Sequence, residues 1–191
     1  LNFSFVETEQ FIGAISGYVR FNDMPYNSDN KIKYIIDSNK RLLGSLLKVK
    51  GWPLSNDIVS NFSAVSYLTD QNRMVICNDF TGNPLYYRKS SSGILGGTSL
   101  TIIGLSHHAK NDNTGLLQRI TPYYYNYGRR TLLEDVNRLL PGEWKCFGPN
   151  YDLIETKFDH SLYAQPILTN ISDVAEKIVR DIEKNINIIS K

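Results

Sequence analysis

Thiol and imidazole chemistry is scarce in this chain: two cysteines and three histidines in 191 residues. Cys77 and Cys146 each fall inside an apolar, strand-like run. That marks them as small buried hydrophobes and argues against a disulfide framework. His107, His108 and His160 share no ligand spacing with either cysteine, so no zinc motif is recognisable. The adjacent His107 and His108 read as loop surface. Charge of one sign is also lacking. The formal net charge is +2, with Lys and Arg scattered, which argues against a nucleic-acid or acidic-membrane partner. Long apolar runs are missing. The longest uncharged stretch, 90–109, is interrupted by Gly93, Gly96, Gly97 and Gly104 and is a poor membrane span. With no secretory signal pattern either, a cytoplasmic location is expected. No repeat or low-complexity tract appears. The Gly-rich run 92–97 has no Lys-Ser or Lys-Thr after it. It reads as a hairpin with a close backbone contact, not a phosphate cradle.

What is present is enough apolar material for one packed domain: 41% hydrophobic and 12% aromatic residues. Alternation in 1–6 predicts a first strand, and 11–21 predicts two strand-like runs or one long bent strand. Asn27, Ser28 and Asp29 are positioned to cap a helix whose apolar residues are Ile32, Ile35, Ile36, Leu42, Leu43, Leu46 and Leu47. Gly44 interrupts that helix or merely sits on it. Residues 51–54 break it, and 61–68 predict another strand. Then comes Arg73-Met74-Val75-Ile76-Cys77, an apolar strand covered on both faces. The turn formers Asn78, Asp79, Gly82, Asn83 and Pro84 follow, and Leu85-Tyr86-Tyr87 is expected to return antiparallel beside the first strand. Further on, 93–105 reads as strand and turn. A short helix is expected at 115–125, with Leu116, Leu117 and Ile120 on one face. Strands are expected at 143–147 and 151–157, an irregular linker at 158–166, and a final amphipathic helix from Ser172. Arg129-Arg130 reads as a solvated pair in preference to one that faces a carboxylate or phosphate, and Tyr123-Tyr124-Tyr125 as a helix flank packed on a sheet in preference to a grip on a peptide. The sum is an α+β layered domain.

Three motifs go further. Asp79-Phe80-Thr81-Gly82-Asn83-Pro84-Leu85-Tyr86-Tyr87 resembles the D-x-x-G-x-x-P-L-Y-Y segment of the N-terminal domain of asparagine synthetases and their relatives. It is one residue short between Gly82 and Pro84, and Asn78 stands where the family has Arg. Thr131, Leu132, Glu134, Arg138, Leu139, Pro141 and Gly142 fall in the order of the family's T-L-F-E-G-I-x-R-L-P-P-G. The run 94–103 is similar to the family's strand ending F-A-S-E-L-K-A-L, with Ser99 for Glu. The resemblance covers roughly residues 42–150.

The resemblance implies a class II glutamine amidotransferase domain of the N-terminal-nucleophile hydrolase fold, an αββα sandwich of antiparallel sheets, here shortened at its front. In that family an N-terminal Cys attacks the glutamine amide, its own α-amino group acts as base, and an Asn-Gly-Glu segment holds the substrate. Residue 1 here is Leu, and Asn22-Asp23-Met24 stands at the Asn-Gly-Glu position. A competing alignment sets Gly13 where the Cys belongs. Glutaminase activity is therefore expected to be lost. Lasso-peptide cyclases and β-lactam synthetases are relatives that also lack the Cys. By that likeness residues 1–157 are a degenerate amidotransferase-like domain, and 158–191 lead toward a synthetase domain absent from this sequence. That domain would adenylate a carboxylate with ATP and Mg for an amine already in the substrate, as in peptide macrolactam formation. No cofactor is implied for the present chain. The implied partners are the synthetase domain, in the same protein or a separate chain, and a peptide substrate. Alternatives are a freestanding scaffold module and a fragment of a genuine glutamine-hydrolysing enzyme. No catalytic residue is assigned. Asn22, Asp23, Asn78 and Asp79 are the expected remnant of the substrate pocket.

Overall fold

The computed structural model describes residues 3–21, 24, 31–48, 58–79, 83–106, 108–120 and 126–158, with 175–176, 178–180 and 182–183 of the C-terminal stretch. Asn22, Asp23, the 51–54 breaker, Tyr123 to Tyr125 and the linker beyond Phe158 lie outside those residues. Phe158 itself ends a strand.

The elements in order are β1 (Phe3–Glu7), β2 (Phe11–Phe21), α1 (Lys31–Lys48), β3 (Ile58–Leu68), β4 (Arg73–Asn78), β5 (Tyr86–Ser90), β6 (Gly93–Gly97), α2 (Leu100–Ser106), α3 (Asn113–Ile120), β7 (Val136–Arg138), β8 (Glu143–Phe147) and β9 (Leu153–Phe158). A mixed α+β architecture with antiparallel sheets results. Six strands form a large sheet in the order β1-β2-β3-β4-β8-β9, and three form a small one in the order β6-β5-β7.

Strand alternation sorts the large sheet's side chains onto two faces. Val6, Phe11, Ile15, Val19, Phe62, Ala64, Val75, Cys77, Trp144 and Cys146 share one face with Leu42 and Leu43 of α1. Ile76 and Phe147 point the other way, into a second cluster with Leu85, Tyr87 and Leu139. That cluster joins the two sheets, and the rings of Tyr87 and Phe147 lie 5.9 Å apart at 57°. Tyr87 and Ile94 face the large sheet. Gly97, paired with Tyr86, faces away, and a Cβ there would meet Ile103 of α2 at 4.0 Å. Helix α1, large sheet, small sheet and helix α2 therefore stack in that order.

One expectation is overturned. β5 does not return beside β4. It crosses to the small sheet and pairs with β6 and β7, while β8 takes the free edge of β4. The composition of β4 calls for a partner on that edge, and the 79–85 connection keeps β5 from being it. Val75 and Cys77 are buried on one face and Ile76 on the other, so the strand sits inside the sheet and needs a partner on each edge. The connecting 79–85 segment is too long for a tight hairpin, and Pro84 cannot donate to a ladder. Two smaller corrections follow. Strand character in 93–105 ends at Gly97, and Leu100 starts α2, with Ser99 Oγ accepting from Ile102 N at 3.4 Å as a cap. The expected apolar face of α3 is not buried: Leu117 and Ile120 are exposed, and Gly115 is the residue turned inward.

Candidate functional site

β4 ends at the two described members of the expected pocket remnant. Asn78 and Asp79 are both 3% exposed. Neither behaves as a surface turn residue, which corrects the reading of them as turn formers. Asn78 is the last residue of β4 and pairs with Ser63. Asp79 extends the ladder by one bond, its N donating to Phe62 O at 3.1 Å. Alternation sends the two side chains to opposite faces. The Asp79 carboxylate turns to the α1 side, where Ser60 Oγ donates to its Oδ2 at 2.8 Å. The Asn78 amide faces the small sheet. Ser63 Oγ lies against both this amide and Asn83 O, and its one proton serves only one of them. The network closes when Ser63 donates to Asn83 O and the Asn78 amide N donates to Ser63 Oγ at 2.9 Å and Asn83 O at 3.2 Å. Asn78 thus clips the crossing segment to β3.

Gly17 stands opposite Phe62, and Phe21, the end of β2, opposite Ile58. The end of β2 and the Asn78–Asp79 pair therefore share one end of the large sheet. Asn22 and Asp23 directly follow β2 in sequence and lie outside the described residues. Met24, one residue further, packs against the core.

No thiol is poised as a nucleophile among these groups. Cys77 and Cys146 are free and buried in mid-strand. Burial pushes the Cys77 thiol far up, helped by the Asp79 carboxylate and opposed by a hydrogen bond with the Ala64 backbone. Burial likewise raises Cys146. Both are held as thiols at neutral pH, the unreactive form. Among the described residues, no group of three or more His, Cys, Asp or Glu side chains is placed to hold a metal ion. No described helix is long and apolar enough to cross a membrane.

The most heavily buried charges escaped the sequence reading. Glu143 is 0% exposed. Its Oε1 takes Arg129 Nη2 and, at 3.1 Å, Lys145 Nζ, while its Oε2 accepts from Leu140 N at 2.8 Å. Lys145 also donates to Thr156 Oγ1 at 3.1 Å, and Arg129 lies over the Phe158 ring. Arg129 is thus no solvated residue. The sequence reads Glu143-Trp144-Lys145-Cys146-Phe147 as a strand and assigns its two charged residues no partner. The partner arginine is remote in sequence, so only the fold reveals the pairing.

The 131–142 motif is likewise structural. Thr131 Oγ1 donates to Val136 O at 2.8 Å and accepts from Leu133 N at 3.1 Å. Arg138 Nη2 donates to Gly128 O at 2.8 Å and Asn126 O at 3.2 Å. These bonds fix residues 126–136, the segment that leads into β7. A scan against protein-family models and a search of curated proteins each return no match to this chain.

Proposed function

We propose that this chain is the non-glutaminase, amidotransferase-like domain of an asparagine-synthetase-like enzyme that forms amide bonds at the expense of ATP. The observation that carries the reading is the helix–sheet–sheet–helix stack with Asn78 and Asp79 at one sheet end and both thiols sealed in the interior. In this reading the stack is an N-terminal-nucleophile hydrolase sandwich that has outlived its glutaminase. Motif residues Thr131 and Arg138 persist because they brace backbone carbonyls, a task independent of glutamine chemistry.

ATP and Mg would belong to a separate synthetase domain, and the Gly-rich run here does not fit a phosphate-binding loop. The Gly-rich run is strand β6 in a hairpin with β5, with no lysine after it to meet a phosphate. This chain's contribution is architectural: a rigid body against which the synthetase domain packs, with a surface for a peptide substrate whose own amine replaces ammonia.

The test has two arms. Purified protein incubated with glutamine is expected to release no glutamate. With a diazo-ketone glutamine analogue it should gain no covalent mass, and both thiols should react with iodoacetamide only in denaturant. One equivalent of adduct on the native chain would refute the loss of glutaminase. In the second arm, the product of the complete reading frame, or a co-purifying chain, should catalyse ATP–pyrophosphate exchange that depends on a peptide carboxylate. Exchange absent from both would remove the synthetase assignment.

A further inference from the structure

At the end of the large sheet opposite Asn78 and Asp79, a cleft of about 590 Å³ opens between α1 and two strand turns. That size lies in the ordinary range of small-molecule sites. Its floor is the cross-strand pair Phe11 and Leu68, 6% and 7% exposed. Its walls are the β1–β2 turn, the β3–β4 turn, and the flank of α1 that carries Lys40 and Gly44 one helical turn apart.

Two features make this a built space. First, Gly44 stands where α1 passes over Phe11. Among the described residues, a Cβ there would meet only Phe11 Cε1, at 3.9 Å. The backbone does not require glycine at this position, and glycine is unfavourable inside a helix. Its effect is that position 44 puts no side chain over the ring. Second, the two turns are tied to each other. Thr69 Oγ1 donates to Glu9 O at 2.9 Å, and Thr69 N donates to Gln10 O at 3.2 Å. Thr8 closes its own turn, with Oγ1 donating to Phe11 O at 3.2 Å and accepting from Phe11 N at 3.1 Å. The clip holds Glu9 and Asp70 on neighbouring turns at the rim, and Lys40 is the one cation among the described lining residues. The charged groups of the described lining thus sum to a single negative charge over an apolar floor.

We propose that this cleft binds a compact amphiphile: an apolar ring or branched alkyl group seated on Phe11 and Leu68, with a protonated amine held by the carboxylate rim. The apolar floor supplies the affinity. The exposed rim selects the sign of charge and adds little strength. The site is independent of any glutamine or ATP chemistry and of the family assignment.

The experiment titrates the ¹⁵N-labelled full chain with phenethylamine and, separately, with 3-phenylpropionate, which has a similar ring and the opposite charge. Phenethylamine is expected to give saturable shifts at millimolar concentration confined to residues 8–11, 40–44 and 68–71, with 3-phenylpropionate about fivefold weaker. Gly44→Leu fills the cleft and should abolish those shifts, while an unchanged or higher melting temperature shows that it is folded. The double variant Glu9→Gln, Asp70→Asn should keep binding but bring the two probes level. Shifts that fail to saturate, a Gly44→Leu variant that binds like the parent, or equal affinity of the two probes on the unaltered chain would each overturn the proposal.

Discussion

Glu143 carries a formal charge with no access to solvent. It is tolerable there because each oxygen is engaged, Oε1 by Arg129 and Lys145 and Oε2 by the Leu140 amide. Removing the carboxylate leaves the Lys145 ammonium, 6% exposed, without its counter-charge. Glu143→Gln is therefore expected to cost about 3 kcal/mol in urea denaturation. Replacing Glu143 by Gln and Lys145 by Met together should recover most of that loss, because the double change removes the stranded charge. A single-variant cost under about 1 kcal/mol would show that the network is not stabilised as a unit. At this scale the sequence was legible where a residue acts through its own strand and illegible where it acts across layers. Cys77 and Cys146 were readable as buried from their apolar neighbours. Arg129 was misread because its carboxylate arrives on β8, beyond a loop and β7.

Two glycines of opposite meaning govern the elements. Gly17 sits in mid-β2 at φ +114°, and a Cβ there would lie 1.9 Å from Asn61 O. It lets one long strand bend, which is why the sequence read equally as two runs or one. Gly44 has ordinary helical geometry and room beside it. Alanine scanning should separate them. Gly17→Ala is expected to lose about 3 kcal/mol, and Gly44→Ala to gain roughly 0.5–1 kcal/mol. Melting temperatures that move in the same direction would contradict the pair. The positions of β2, α1, β3, β4 and β8 were legible because local periodicity dictates them. Which strand pairs with which was not. The composition of β4 announces burial on both faces, yet it does not say that β8 rather than β5 fills its second edge.

At the scale of the whole molecule, three weak acids among the described residues are held protonated by the interior. Burial raises Cys77 and Cys146 from 9.0 and Tyr87 from 10.0. Nearby Glu143 lifts Tyr87 further. The sign follows from proton counting. Above pH 9.0 an unfolded Cys77 releases its proton while the folded one keeps it. The unfolded state then binds fewer protons, and stability falls as pH rises. Each such group contributes a slope of up to about 1.4 kcal/mol per pH unit. Urea midpoints should hold steady near neutrality and decline above pH 9, with a shallower decline in Cys77→Ala. A midpoint flat to pH 10.5 would show that these thiols reach solvent. The α+β class was readable from the chain, because strand and helix periods are local signals. The stacking of two sheets was carried into the reading by resemblance alone. It depends on the crossing at Asn83 and Pro84, and only the Asn78–Ser63 clip makes that crossing visible.

The pairing of β4 with β8 also has a consequence in time. During synthesis β1 to β4 can assemble as a meander as soon as they leave the ribosome, since each pairs with its predecessor. The far side of β4 must then wait for β8, which is made only after residues 79–142. Through that interval a nearly complete sheet presents an apolar strand with unmatched amides, a ready template for another nascent copy. Closure by β8 joins residues far apart in sequence, a long-range pairing of the kind that slows folding.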